Sequence, residues 1–246
     1  MQNNTENDIL QLPEKIAIEK EIQIVICIDE FQQISDFEDS KTFQKKLRSV
    51  WQLQQHVSYC LFGSKKHLMN ELFEKKNLPF YKFGDAIYLA KIETKYWIEY
   101  ICKRFENTGK HISPELAEEI CRLVDNHSSY VQQLSWLLWI RTINTATTEQ
   151  LTYALEDLLD QNNILFQSET ENLSAYQMNF LKAIVDGIHT KFSSKEVISK
   201  YNLGTSANIV RLKNALLQKE LIETNGKEIV LADPVFGVWF KKEMLY

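Results

Sequence analysis

The sequence is short of the residues that build phosphate-binding loops. Only seven of its 246 residues are glycine and four are proline, and no GxxxxGKS/T segment occurs anywhere. The Gly-Lys step in "NTGKHIS" (Gly109 and Lys110) lacks the first glycine, the hydroxyl residue after the lysine and a preceding strand. A self-contained ring of backbone N–H groups around a triphosphate, with a lysine on its outer oxygens, is therefore excluded. The four cysteines, Cys27, Cys60, Cys102 and Cys121, form no CxxC pair, and no histidine stands at metal-ligand spacing. This leaves the usual zinc and dithiol motifs without support. Each cysteine falls in an apolar stretch, so buried free thiols in a reducing compartment are expected. No apolar run approaches the ~20 residues that span a bilayer, and "MQNNTEND" lacks the cationic and apolar regions of a signal peptide. These features predict a soluble, cytoplasmic protein with no membrane partner.

Charge is unevenly distributed. The net formal charge is -5, but residues 174–246 hold 10 Lys+Arg against 7 Asp+Glu, a net of +3, so that the preceding part carries 18 against 26, a net of -8. A mildly basic end on an acidic body hints at a polyanion partner there.

At 44% hydrophobic residues the chain can bury a sizeable core. Ile9, Leu12 and Ile16 are spaced for an amphipathic helix over 8–21. "IQIVICI" follows, an unalternated β-branched run of the kind that suits a strand covered on both faces, and it ends on two carboxylates, Asp29 and Glu30. A helix over roughly 40–56 leads to "VSYCLFGS" (57–64), and a short helix (65–76) and the irregular "NLPFYKFGD" lead to "AIYLAKI" (86–92). Strand and helix alternating at this spacing predict a three-layer α/β core.

After residue 92 the pattern becomes helical. Ser113 with Pro114 opens one helix as cap and first helical residue. "SYVQQLSWLLWIRTI" is apolar on most sides and is expected to be buried in a bundle, with Trp97, Trp136, Trp139 and Trp239 as core residues. A helix over 147–165 is followed by the polar "QSETEN", the best candidate linker. The last part shows capping boxes at Ser174/Gln177 and Ser193/Glu196, and a third helix in "GTSANIVRLKNALLQKELI". It then shows a hairpin in which Asn225-Gly226 would supply a type I′ turn, and a final helix capped by Asp233 before Pro234. Three helices and a two-stranded ribbon make a winged helix.

An apolar strand ending in Asp-Glu places both acids at the carboxyl rim of a sheet, where open α/β sheets bind ligands. Taken in order, "LPEKIA", "IDEFQQI", "LFGSKKHLMNELFEKKNLPFY", "SYVQQLSWLLW" and "DPVFGVWF" resemble the archaeal-type ATPase family, P-loop proteins of the AAA+ and STAND kind with a C-terminal winged helix. The resemblance spans essentially the whole chain. It implies a partial P-loop core at 1–92, a helical lid at 93–166 and a winged helix at 173–246, with ATP and Mg²⁺ as cofactors. On the same resemblance Asp29 would be the Mg²⁺-associated acid, acting through water. Glu30 would be the catalytic base and Ser64 the polar sensor of the γ-phosphate. "NHSSYVQQ" sits where similar proteins bring the lid towards the nucleotide, commonly with a glycine and a proline. Here Asn126 and Ser128 stand near those places, which leaves an adenine contact from His127 or Tyr130 without that support.

In similar proteins the loop that is missing here lies upstream, on a strand between the sensor strand and the last strand. The expectation is that "VSYCLFGS" has an unpaired edge and "AIYLAKI" lacks its neighbour. Either a longer ATPase of which this is the C-terminal part, or a separate chain or second copy, would fill that gap, and hydrolysis by this chain alone is not expected. The alternative is a non-enzymatic winged-helix protein that binds duplex DNA or serves as a scaffold. On the helix from Thr205 to Lys219, Ile209, Leu212 and Leu216 would face the core and Ser206, Asn208, Arg211 and Gln218 would face outward. Arg211 suits guanine and Asn208 adenine, while Lys195, Lys213 and the wing's Lys227 suit phosphates.

Overall fold

In the computed structural model, which describes residues 2–245, the run before the acid pair forms β1 (Ile24–Ile28) and "VSYCL" forms β2 (Val57–Leu61). The two are parallel, in the register Ile24↔Val57 to Ile28↔Leu61. The chain divides into two units, Met1–Tyr88 and Leu89–Tyr246.

The first unit holds α1 (Gln2–Lys20), the two strands, a 3-10 turn (Phe31–Asp36), α2 (Ser40–Trp51) and α3 (Lys66–Glu74). Its core is aromatic. Phe31, Ile34, Leu47, Trp51, Leu72 and Phe80 are buried and pack on Ile28, Tyr59 and Leu61 of the sheet. Phe80 comes from the irregular "NLPFYKFGD" and meets Phe31 and Phe83 edge-on, each at 5.3 Å, while Trp51 stacks on Tyr59 at 4.1 Å. Arg48 Nη1 donates to Tyr81 O (2.9 Å) and to Pro79 O, pinning this loop without regular structure.

Three expectations fail in this unit. The unalternated runs do not become strands covered on both faces, because the core packs on one face only. On the other face Val25 is 66% exposed and Cys27, Ser58 and Cys60 are exposed; with Cys102 half-buried, only Cys121 of the four cysteines is buried. "AIYLAKI" forms no strand, and Ile87 and Leu89 are 83% and 92% exposed. A strand is defined by ladder bonds to a neighbour, and among the described residues none pairs with it. Finally, α1 begins earlier than its spacing predicts and turns Ile9, Leu12 and Ile16 outward. Polar contacts set its orientation: Glu14 accepts from the backbone N–H of Gln55 (3.1 Å) and His56 (3.0 Å), and Gln54 donates to Leu10 O (2.9 Å). This turns Leu10 and Ala17 inward.

The second unit is helical up to the ribbon: α4 (Thr94–Glu106), α5 (Pro114–Leu123), α6 (Ser128–Arg141), α7 (Thr148–Glu171), α8 (Ala175–Val185), α9 (Lys195–Tyr201) and α10 (Ser206–Gln218), then antiparallel β3 (Ile222–Asn225) and β4 (Glu228–Leu231), and α11 (Pro234–Leu245). Ser113 caps α5 as expected, accepting from Leu116 N at 3.2 Å. Capping boxes close at Ser174/Gln177 and, unanticipated, at Thr147/Gln150. The cap of α9 is Ser194, one residue later than expected, accepting from Val197 N.

One core runs from Trp97 through Phe166 to Phe240. The expected linker "QSETEN" is instead the last part of α7. Phe166 and Thr170, four apart, are buried on one side, while Gln167, Ser168 and Glu171 point to solvent. A polar string with a helical inward pair, rich in good helix formers, thus continues the helix. Phe166 packs against Phe236 (5.5 Å) and Trp239 (5.6 Å) of α11. Helix α6 is half exposed rather than enclosed: Val131, Leu134, Leu137 and Leu138 are buried, but Trp136 is 55% exposed and Ile140 is exposed. In the wing, Asn225 remains paired with Glu228, and Gly226 takes φ +60° at the first turn position. Lys227 at the second position is not at positive φ, which meets the type II′ requirement and not the I′ arrangement expected.

Candidate functional site

Parallel pairing brings the carboxyl ends of β1 and β2 together, and the ladder continues beyond both strands. Phe62 N donates to Ile28 O (3.1 Å) and Phe31 N to Phe62 O (3.0 Å). The Asp29-Glu30 step therefore lies beside Gly63-Ser64. Asp29 is exposed at the rim, and its Oδ1 accepts from the N–H of Glu30 (2.8 Å). Glu30 takes a left-handed backbone, φ 50° and ψ 39°, a conformation that costs a non-glycine residue on the order of 1–2 kcal/mol.

This bend turns the Glu30 carboxylate onto the neighbouring strand end. Ser64 Oγ donates to Oε1 (2.9 Å) and Gln32 Nε2 donates to Oε2. The two bonds, Ser64 first and Gln32 second, hold the Glu30 carboxyl below the usual carboxylate range. Gln32 is 2% exposed, and its Oε1 has no hydrogen-bond partner. A Cβ on Gly63 would lie 1.9 Å from that oxygen, so glycine is required there for Gln32 to keep its place. The structure thus brings Glu30 and Ser64 together, with Asp29 adjacent, and adds Gln32. Sequence reasoning missed Gln32 because nothing in "DEFQQI" marks which glutamine is buried.

The donor set suits a hard, hydrated cation. One exposed carboxylate at a sheet rim can hold Mg²⁺ when phosphate oxygens and water complete the shell, and no group of three or more His, Cys, Asp or Glu gathers among the described residues to cage a metal. Asp29 would hold the ion, and the ion would neutralise phosphate charge. Glu30, with both oxygens accepting hydrogen bonds, is a weaker base than a free carboxylate.

In the second unit, Asp125 and Asn126 precede α6 with φ of 48° and 53°. Asn126 occupies a left-handed position of the kind glycine favours, and its amide exchanges hydrogen bonds with Thr94 (3.0 and 3.3 Å). The Tyr130 hydroxyl donates to Asp233 Oδ2 (2.5 Å). Burial first and this bond second raise its pKa, and the phenol is committed to the cap of α11. Asp233 Oδ1 in turn accepts from Val235 N (2.7 Å) and Phe236 N (3.0 Å).

The helix α10 buries Ile209, Leu212 and Leu216, and leaves Ser206, Arg211 and Gln218 exposed, as its spacing predicts. Lys195 and Lys227 are exposed, and Lys213 is half-buried. Asn208 departs from its expected role: it is half-buried, and its Nδ2 donates to Leu203 O (3.0 Å), so part of the amide fork needed for an adenine edge is used internally. Val210 and Asn214, not anticipated as surface readers, are exposed on α10.

Together, a parallel strand pair with acids at its rim, a helical unit and a C-terminal winged helix make up a fold similar to that of a P-loop ATPase with a winged-helix end. One similar solved structure is the Walker-type ATPase PABY2304 of Pyrococcus abyssi, with a TM-score of 0.74 at 16% identity, covering 96% of this chain and 67% of that one. Residues 164–242 match the family described as "probable winged helix domain". Lower similarity extends to the Holliday junction branch migration motor RuvB of Thermotoga maritima (TM-score 0.45, 14% identity, 94% and 73% covered). It also extends to the Orc1 protein of Aeropyrum pernix in complex with DNA (TM-score 0.43, 10% identity, 89% and 64% covered). None of the curated proteins matches in sequence.

Proposed function

We propose that the first unit is the metal-and-base half of an ATP site, in which Asp29 holds Mg²⁺ through water, Glu30 orients the attacking water and Ser64 senses the γ-phosphate. A P-loop-bearing segment, on the same polypeptide or another, supplies the phosphate-cradling half by pairing with the outer edge of β2. The observation that carries this reading is the contact between Ser64 and Glu30 at the shared carboxyl end of two parallel strands (2.9 Å). The lack of GxxxxGKS/T in the sequence and the two-stranded sheet at this rim among the described residues support it as well. In this state the Ser64 and Gln32 bonds hold Glu30 away from catalysis. Nucleotide hydrolysis awaits both the missing cradle and the release of that carboxylate.

Calorimetric titration with ATP and Mg²⁺ tests this reading. The chain alone is expected to bind more weakly than about 1 mM, equivalent to about -4 kcal/mol, and to hydrolyse nothing. Micromolar binding that disappears in Asp29→Ala would mean that the chain already holds a complete site, and the proposal of a half-site would fail.

A second reading concerns the winged helix. The exposure of Ser206, Arg211 and Lys227 on the third helix and wing favours a duplex-DNA contact, with Arg211 and Asn214 as base readers and Lys195, Lys213 and Lys227 near phosphates. Absence of duplex binding at low salt would remove this reading without touching the first.

A further inference from the structure

Cys27 and Cys60 are direct partners in the parallel register of β1 and β2, and both are exposed. Free cysteine is among the most buried residue types, so two exposed thiols standing opposite each other on one sheet face are unusual. The face around them is largely apolar, with Val25 before and Phe62 after, both exposed. Neighbouring parallel strands lie about 4.8 Å apart, and paired side chains rise on the same side. A disulfide needs Cβ atoms about 3.8 Å apart, so closing one here would pinch the strands by about 1 Å. A metal–thiolate bond is about 2.3 Å long, so two thiolates collinear about one ion stand about 4.6 Å apart, a span that χ1 rotation of two register-paired cysteines can reach without moving the strands. Among the described residues no third or fourth protein ligand gathers to complete a tetrahedral shell, and soft thiolates favour Cu(I) over harder ions.

We propose that Cys27 and Cys60 form a two-thiolate site for a soft, low-coordinate monovalent ion of the Cu(I) class. Two S–Cu bonds form as each thiol gives its proton to solvent, and no electron is transferred. This site uses none of the side chains of the nucleotide reading, yet it bridges the two strands whose ends carry Glu30 and Ser64.

The test is anaerobic titration of the reduced full chain with Cu(I) in competition with the chromophoric chelator bicinchoninate. The chain withdraws about one equivalent. Cys27→Ser and Cys60→Ser each abolish the withdrawal, while Cys102→Ser retains it, with far-UV circular dichroism unchanged in all three. Failure of the chain to compete, or retention of the full equivalent by either strand variant, overturns the proposal.

Discussion

Trp239→Ala should destabilise helices α5 to α7 and the winged helix together. Trp239 is 1% exposed, its ring lies 5.6 Å from Phe166 and 5.8 Å from Phe236, and its Nε1 donates to Asn163 Oδ1 at 2.8 Å. Truncating a buried Trp costs about 3–5 kcal/mol through lost transfer energy and the cavity left behind. Losing the hydrogen bond adds about 1 kcal/mol. Against a typical domain stability of about 5–15 kcal/mol, the sum removes a large fraction of the total. Because Phe166 and Asn163 belong to α7 and Trp239 to α11, the loss acts on both ends of one core. Urea unfolding followed by circular dichroism should show a single transition at lower midpoint. Hydrogen exchange should quicken in α5 and α6 as well as in α8 and α11. If α5 and α6 kept wild-type protection while residues 173–245 unfolded separately, the continuity argued for α7 would be wrong.

Other consequences are smaller. Ser64→Ala removes the leading cause of the lowered Glu30 pKa, so a carboxyl carbon NMR titration should find Glu30 protonating at higher pH; an unchanged titration would rule out the Ser64–Glu30 contact in solution. The sign follows from linkage. A carboxyl lowered in the folded state adds stability above its ordinary pKa and loses it as pH falls through the folded value, and in the variant this contribution is smaller and its loss is complete at a higher pH. Ser174→Ala removes the capping box of α8 and should cost about 1 kcal/mol in a denaturant titration, whereas Ser193→Ala, outside the cap, should be nearly silent. Arg211→Ala should weaken duplex binding by about 1–3 kcal/mol with relaxed sequence preference, and Lys227→Ala should weaken it uniformly with a shallower salt dependence; equal effects on all sequences from both would refute base reading by Arg211.

The starts of α5 and α8, the winged-helix pattern and the acid pair at a strand end were legible in the amino-acid order, because each rests on short-range physics. Ser113-Pro114 and Ser174/Gln177 satisfy backbone N–H groups within a few residues, and the spacing of Ile209, Leu212 and Leu216 alone defines the buried side of α10. The carboxyl-end position of Asp29 and Glu30 follows from the apolar run before them. Other features depended on partners distant in the chain. Whether "AIYLAKI" becomes a strand depends on a neighbour for its backbone. Whether Cys27 and Cys60 are buried depends on whether anything covers that face. The outward turn of Ile9, Leu12 and Ile16 follows from Glu14 meeting the backbone at 55–56. The Gln32–Glu30–Ser64 contact needed parallel register, a left-handed Glu30 and the missing Cβ of Gly63 at once. Periodicity reports which residues are apolar; tertiary packing alone decides which of them find something to bury against.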